Sequence, residues 1–413
     1  MVRLTEDDVH EYVTGICFKT GPPGRVGCEL EWHVVDRHQP AEPVPLHRLA
    51  RALTGVDPPP AGSTLTYEPG GQLELSSLPH PDASATHAAL SADLAAVEAH
   101  LGEAGLRLHG GGLHPARLPA RQLSRPRYRA MERYFDRDGA AGRTMMCATA
   151  SMQVCVDIGA NPADLRRRWS LLHQLTPVLI AAFANSAVWR GQPTGWRSAR
   201  QLVWATIDAT RTRPVAGPDP RAAWARYALD ARLLAIRETH RPWQVNPGLR
   251  FRDWLSSDRH RHPTQEDLSF HLSTLFPPVR PRGWFELRVI DAPPRAWWPV
   301  PLAVVSALVD DPIAADTARA ATERLARTGR SDHLWLRACR DALHDPHIAA
   351  CARACFEATR AALHRAGAAT LASLVDAYTE RFVDPGRCPA DEHLQQRALS
   401  GQRGTPCPSP QPS

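Results

Sequence analysis

Lysine is almost absent: of the 49 cationic side chains in 413 residues, Lys19 is the one lysine and the remainder are arginine. Schiff-base, pyridoxal-phosphate and P-loop chemistries, which each need a placed lysine, are therefore confined to a single candidate position. The nine cysteines form no C-x-x-C pair and no zinc-binding spacing, so they read as reduced thiols, two of them (Cys351 and Cys355) on one face of a helix. No apolar run reaches the ~18 to 20 residues of a membrane span; the longest, 177–188 and 296–309, read as buried helices. The first eight residues are charged and polar where a secretion signal is apolar. A cytoplasmic protein is the expectation.

What is present divides into helical and strand-like segments. Alanine-rich stretches at about 83–105, 162–190, 300–328 and 345–381 carry helical periodicity, and a short helix is expected at 46–53 inside a proline-rich connection. The chain is expected to form one catalytic unit over 1–385, helical from 301, with 386–413 as a disordered tail because periodicity is lost there. Four segments alternate with period two instead: 28–35, 72–76, 151–157 and 284–290. Their apolar rows, such as Leu30, Trp32 and Val34, call for helices on one side of a sheet. The opposite face gathers Glu29, Glu31, Glu74, Glu286, Gln153 and Arg288. One such strand is an ordinary solvated edge, but acids on four strands repel one another unless a cation lies between them.

Oxygen ligands without histidine or cysteine favour a hard cation, Mg²⁺ or Mn²⁺. Arginine on the same face grips phosphoryl oxygens or a carboxylate, so the combination points to phosphoryl transfer. Two glycine-rich loops compete for attention. The segment 21–27 lacks a Walker lysine and leads into a strand, and 109–114 (His-Gly-Gly-Gly-Leu-His) has no chemistry beside it; both read more simply as turns. A basic isoelectric point near 9.0 raises nucleic-acid binding, yet the net charge is only +6 and the arginines are scattered among acids.

The strands also resemble a known family. Gly27-Cys-Glu-Leu-Glu31, Glu68-Pro-Gly-Gly-Gln-Leu-Glu-Leu-Ser76, Arg127-Tyr-Arg-Ala-Met131, Met145 to Asp157, Phe183 to Arg211 and His271 to Asp291 are similar to consecutive motifs of the plant-type glutamate-cysteine ligases, including the actinobacterial branch that serves ergothioneine synthesis. The resemblance runs from about residue 15 to about residue 295. It implies an α+β, glutamine-synthetase-like fold with a curved antiparallel sheet and helices on one face. It further implies ATP and magnesium as co-substrate and cofactor, with L-glutamate and L-cysteine as small-molecule partners. Metal ligands would be Glu29, Glu31, Glu74 and Glu286, with Glu286 and Arg288 catalytic. Arg200, Gln153, Trp204, Arg127 and Tyr128 would bind substrate, and Arg211, Asp208 and Arg288 the nucleotide. Ala148, Cys155 and Pro278 depart from the plant pattern, which has arginine, asparagine and an acid there, so a ligase with another amine acceptor stays open.

Overall fold

The computed structural model describes residues 3–22, 24–55, 57–114, 116, 118–257, 260–328 and 333–399. Seven strands make one antiparallel sheet: β1 (Val26–Asp36), β2 (Thr64–Tyr67), β3 (Leu73–Ser76), β4 (Leu106–His109), β5 (Ser151–Asp157), β8 (Val279–Pro281) and β9 (Trp284–Asp291). A separate two-strand hairpin joins β6 (Val188–Trp189) to β7 (Gln192–Pro193). The order across the sheet is β2-β3-β1-β5-β9-β8, and β4 pairs with the far half of β1. All four strands expected from alternation are present, whereas β2, β4 and β8, of three or four residues each, are too short to show a period.

Alternation places one row of side chains in the core. Leu30 and Trp32 of β1, Met152 and Val154 of β5, and Phe285 and Leu287 of β9 are buried together. The helices Ala83–Glu103, Pro162–Ala182 and Pro299–Asp310 cover this side, packing on β1, β9 and β5 respectively. The α+β arrangement, a sheet with helices on one face, is thus the one expected. A second apolar cluster, including Met131, Tyr134, Met145 and Met146, joins the helices Pro126–Phe135 and Ala141–Ala148. Tyr128, Trp204 and Phe276 pack on its edge. It walls the polar side of the sheet without filling it.

Four boundaries differ from expectation, the first being the helix expected over 162–190, which ends at Ala182, with Val188–Trp189 forming a strand beyond it. The stretch 300–328 breaks at Asp311, whose carboxylate caps a new helix by accepting from Ala314 N at 2.8 Å, with Pro312 in its first turn. The stretch 345–381 breaks at Gly367, whose φ of 67° is left-handed. The tail is the larger correction: Pro389–Leu399 is helical, Cys388 and Ala390 are fully buried, and Asp391 pairs with Arg197. Local periodicity is weak there because the helix is held by long-range contacts. Residues 400–413, including Cys407, lie outside the described residues. No helix among those described is long and apolar enough to cross a membrane.

The triple glycine at 110–112 is a packing device. A Cβ on Gly110 would stand 2.2 Å from the Pro293 carbonyl oxygen, and one on Gly112 would stand 2.5 Å from the Asp291 carboxyl carbon. Gly110→Ala is expected to cost about 1–3 kcal/mol through overpacking, read as a lowered denaturation midpoint at unchanged slope.

Candidate active site

The strand register lays the polar face out in rows. Glu74, Glu31 and Ser151 lie side by side, and Ser151 pairs in turn with Asp291. Below them run Ser76, Glu29 and Gln153, then Gly27, Cys155, Glu286 and Arg280. Glu31 and Glu74 are direct cross-strand partners, so two like charges face each other at the closest spacing a sheet allows. The β5–β9 register slips by one residue between Met152 and Val154. This bulge reverses the facing of β9 beyond Arg288, burying Val289 and Ile290 in succession and turning Asp291 onto the polar side.

Above this face lies a cavity of about 440 Å³. Glu29, Glu31, Glu74, Gln153, Arg200, Trp204, Arg127, Tyr128 and Arg288, drawn from six separate parts of the chain, all line it. Glu68, Arg280 and Arg282 line it too, and these three were not singled out in advance. Glu68 opens the Glu-Pro-Gly-Gly turn, and its acid in a turn sequence was the available signal. For Arg280 and Arg282, a second and third arginine before Arg288 was the signal.

Electrostatics separate the acids into two kinds. Burial first, then repulsion from Glu286 and Glu74, pushes the Glu29 carboxyl up to about 7. Burial raises Glu31 and Glu74 as well, and carries Glu68 well above the carboxylate range, with Glu31 and Glu74 adding to it. Glu286 is the exception. Its burial opposes ionisation, but Arg280, Arg288 and Arg282 outweigh that and hold it well below the usual range. Arg280 Nη2 donates to both of its oxygens, at 2.7 and 3.0 Å, Arg282 Nη1 donates at 3.1 Å, and Arg288 Nη1 also donates to it.

This corrects the expectation for Glu286 as a metal ligand. It is fully buried, does not line the cavity and is occupied by three guanidinium groups. Its position makes it the anchor of Arg288, whose Nη1 also donates to Gln153 Oε1 and whose guanidinium lies 5.9 Å from the Trp204 ring centre and 5.7 Å from that of Phe276. Glu29, Glu31, Glu68 and Glu74 have no comparable compensation and fit a hard cation. Among the described residues, no three His, Cys, Asp or Glu side chains already converge as a ligand set. Local donors account for this. Glu31 accepts from Ser151 N at 2.8 Å and Gln153 Nε2 at 3.0 Å, and Glu74 accepts from the hydroxyls of Thr66 and Ser76 at 2.8 and 3.3 Å.

At one end of the cavity Arg200 is 2% exposed, and its Nε and Nη1 make no hydrogen bond. Its Nη2 donates to the Arg288 carbonyl at 2.9 Å, and Asp291 stands 3.6 Å from Nη1. Asp291 is fixed by Asn185 N, Ser186 Oγ and Ser198 Oγ at 2.9, 2.7 and 3.0 Å. A buried guanidinium with unused donors in a cleft wall is suited to a substrate carboxylate. Arg127 is steadied from the other wall, donating to Ser273 Oγ and O at 2.7 and 2.8 Å.

Arg211 and Asp208 are not brought to the cavity, which corrects their assignment to nucleotide. Arg211 is fully buried beneath the Tyr134 ring, and its nitrogens donate to Asp208 Oδ2 at 3.0 Å, to Thr274 O at 2.8 Å and to Arg232 O at 2.6 Å. Every side of the fork is spent on tying loops together. Arg211→Ala is expected to cost about 3–5 kcal/mol of stability by leaving Asp208 buried and unpaired. A selective rise in the nucleotide KM without destabilisation would contradict this.

Comparison with known proteins gives the family. The model of glutamate-cysteine ligase family 2 (GCS2) matches residues 25–406. The chain is 40% identical to a glutamate-cysteine ligase, EgtA, of Mycolicibacterium smegmatis over 92% of this chain and 89% of that one. It is 37% identical to EgtA of Mycobacterium tuberculosis, over 97% and 92%. A chloroplastic glutamate-cysteine ligase of Medicago truncatula is 29% identical over 75% and 65%. Among solved structures, a bifunctional glutathione synthetase from Pasteurella multocida shares the fold, with a TM-score of 0.52 at 14% identity, covering 96% of this chain and about half (52%) of that longer one. The acid-lined sheet face and the family match together place the chain in glutamate-cysteine ligase family 2.

Proposed function

We propose that the chain is an ATP-dependent ligase that joins the γ-carboxylate of L-glutamate to the amine of L-cysteine, yielding γ-glutamylcysteine for ergothioneine synthesis. The observation that carries the reading is the group of carboxylates Glu29, Glu31, Glu68 and Glu74 lining one cavity together with Arg200, Arg280, Arg282 and Arg288. Magnesium, held by Glu29, Glu31 and Glu74, would neutralise the nucleotide phosphates when bound.

The chain's own groups account for the remaining tasks. Arg200 receives the α-carboxylate of glutamate with its buried guanidinium, whose Nε makes no hydrogen bond, and Arg127 and Gln153 steady the rest of the substrate. A γ-carboxylate oxygen attacks the γ-phosphorus, and the bond to the bridging oxygen breaks to release ADP. Arg288, held in place by Glu286 and Gln153, faces the charge that develops on the phosphoryl oxygens. The cysteine amine then attacks the acyl carbon of the γ-glutamyl phosphate, expels phosphate and loses a proton. Trp204, Tyr128 and Phe276 form the cavity wall and limit the access of water, which would hydrolyse the acyl phosphate.

The test is an ADP- and phosphate-release assay with ATP and Mg²⁺. Glutamate and cysteine together are expected to drive turnover and either alone to fail. Faster turnover with alanine, glycine or another amine would replace cysteine as acceptor. Turnover indifferent to glutamate would end the reading.

A further inference from the structure

The rows of the polar face continue past the carboxylates to an end the reaction above does not use. Beyond Gly27, Cys155 and Glu286 the next row is Asp157 paired with Trp284, with Arg282 at the adjoining turn. Trp284 shares its face with Glu286 and Arg288, because residues two apart on a strand point the same way. It is one of the few large apolar side chains left exposed, at 38%. The Arg282 guanidinium lies 5.3 Å from its ring centre while Nη1 of the same arginine donates to Glu286. An exposed indole is thus tied through one arginine to the anchor of Arg288.

We propose that Trp284, backed by Arg282, is the platform on which the nucleobase of ATP stacks, so that the nucleotide lies along the face with its triphosphate directed toward Arg288 and the carboxylates. The inference rests on the ligase reading above. Polarity along the cleft supports it. Arg200 closes the opposite end, which is buried and suited to a carboxylate. Two and four residues of β9 separate Trp284 from Glu286 and Arg288, roughly 7 and 13 Å of strand, a span that suits the ribose and phosphate chain. An indole covered by a guanidinium presents a π surface and a cation together, the pairing used to hold bases without reading their edges. A competing location is a smaller cavity of about 270 Å³ behind Trp204 and Phe276, lined also by Ala209 and Trp335.

The test compares Trp284→Ala, Trp284→Tyr and Ala209→Phe with wild type for steady-state kinetics and for calorimetric binding of ADP and of inorganic tripolyphosphate. Trp284→Ala is expected to raise the KM for ATP about 10-fold or more and to weaken ADP, leaving the KM values for glutamate and cysteine and the affinity for tripolyphosphate unchanged. Trp284→Tyr should restore most of the loss. An unchanged KM for ATP in Trp284→Ala, an equal loss of tripolyphosphate binding, or a rise confined to Ala209→Phe would each overturn the proposal. Because wild type is assayed alongside, failure of the ligase reading would show separately as absence of glutamate-dependent ATP turnover in wild type.

Discussion

Glu29→Gln lowers glutamate- and cysteine-dependent ADP release by at least about 100- to 1,000-fold, the range seen when one charge-stabilising contact is removed from a transition state, and it makes the metal-free protein more stable at pH 8. The two effects have opposite signs for one reason. Glu29 is ordinarily near 4.5 and is pushed up to about 7, by burial first and then by Glu286 and Glu74. Below 4.5 it is protonated in both folded and unfolded chains and costs nothing. Between 4.5 and 7 the folded chain retains a proton that the unfolded chain has lost, so stability falls as pH rises through that window and levels off above it. The amide of glutamine carries no charge at any pH, which removes this slope.

Mg²⁺ should offset the same penalty in the wild type. The thermal midpoint gained on adding Mg²⁺ is therefore expected to be larger at pH 8 than at pH 5.5, and smaller at both in Glu29→Gln. Melting curves in the four combinations, together with ADP release, check this. Normal turnover in Glu29→Gln, or a Mg²⁺ gain that ignores pH, would remove Glu29 from the metal site.

Arg288→Ala is the second large effect: kcat falls about 100- to 1,000-fold with a small change in the glutamate KM. Arg288 Nη1 donates to both Glu286 and Gln153, its guanidinium is held beside the Trp204 and Phe276 rings, and it lines the cavity. Its planar fork is therefore fixed before substrate arrives. Arg288→Lys should recover little, because an ammonium on a flexible stem cannot hold several fixed contacts and a phosphoryl oxygen at once. Glu286→Gln serves as the companion variant. If Glu286 positions Arg288 without binding metal, kcat falls while the Mg²⁺ concentration for half-maximal rate stays put. A large rise in that concentration would return Glu286 to the metal site. Stability should fall as well, since three guanidinium groups would lose their shared carboxylate.

Much of the cleft could be read before any fold was known, because a strand displays its faces in the sequence. The alternation around Glu29 and Glu31, Glu74, Gln153, and Glu286 and Arg288 identified four central strands and assigned their acids to one side. The arginines were harder. Arg200 and Arg211 both occur in one stretch of similar motifs, yet Arg200 ends in the cavity with donors to spare and Arg211 ends in the core with none. Eleven residues of chain do not reveal which of two guanidinium groups will have all its donors taken, since the groups that take those of Arg211 include the Thr274 and Arg232 carbonyls, which come from elsewhere. Nor does local pattern reveal that 389–399 is a helix, because Asp391 and His393 are held by Arg197 and Asn185 from about two hundred residues away.

By itself, then, the sequence determined the side of the sheet on which the acids stand, the near-exclusion of lysine from the chemistry and the family to which the motifs belong. These depend on side-chain type and on the two-residue repeat of an extended backbone, both local. The tertiary structure decided which acids are left for a cation and which is spent on arginine. It also decided that a one-residue bulge turns Asp291 inward beneath Arg200. Charge compensation is a matter of distance in space, and only the folded chain sets the few ångströms that separate a metal ligand from an arginine anchor.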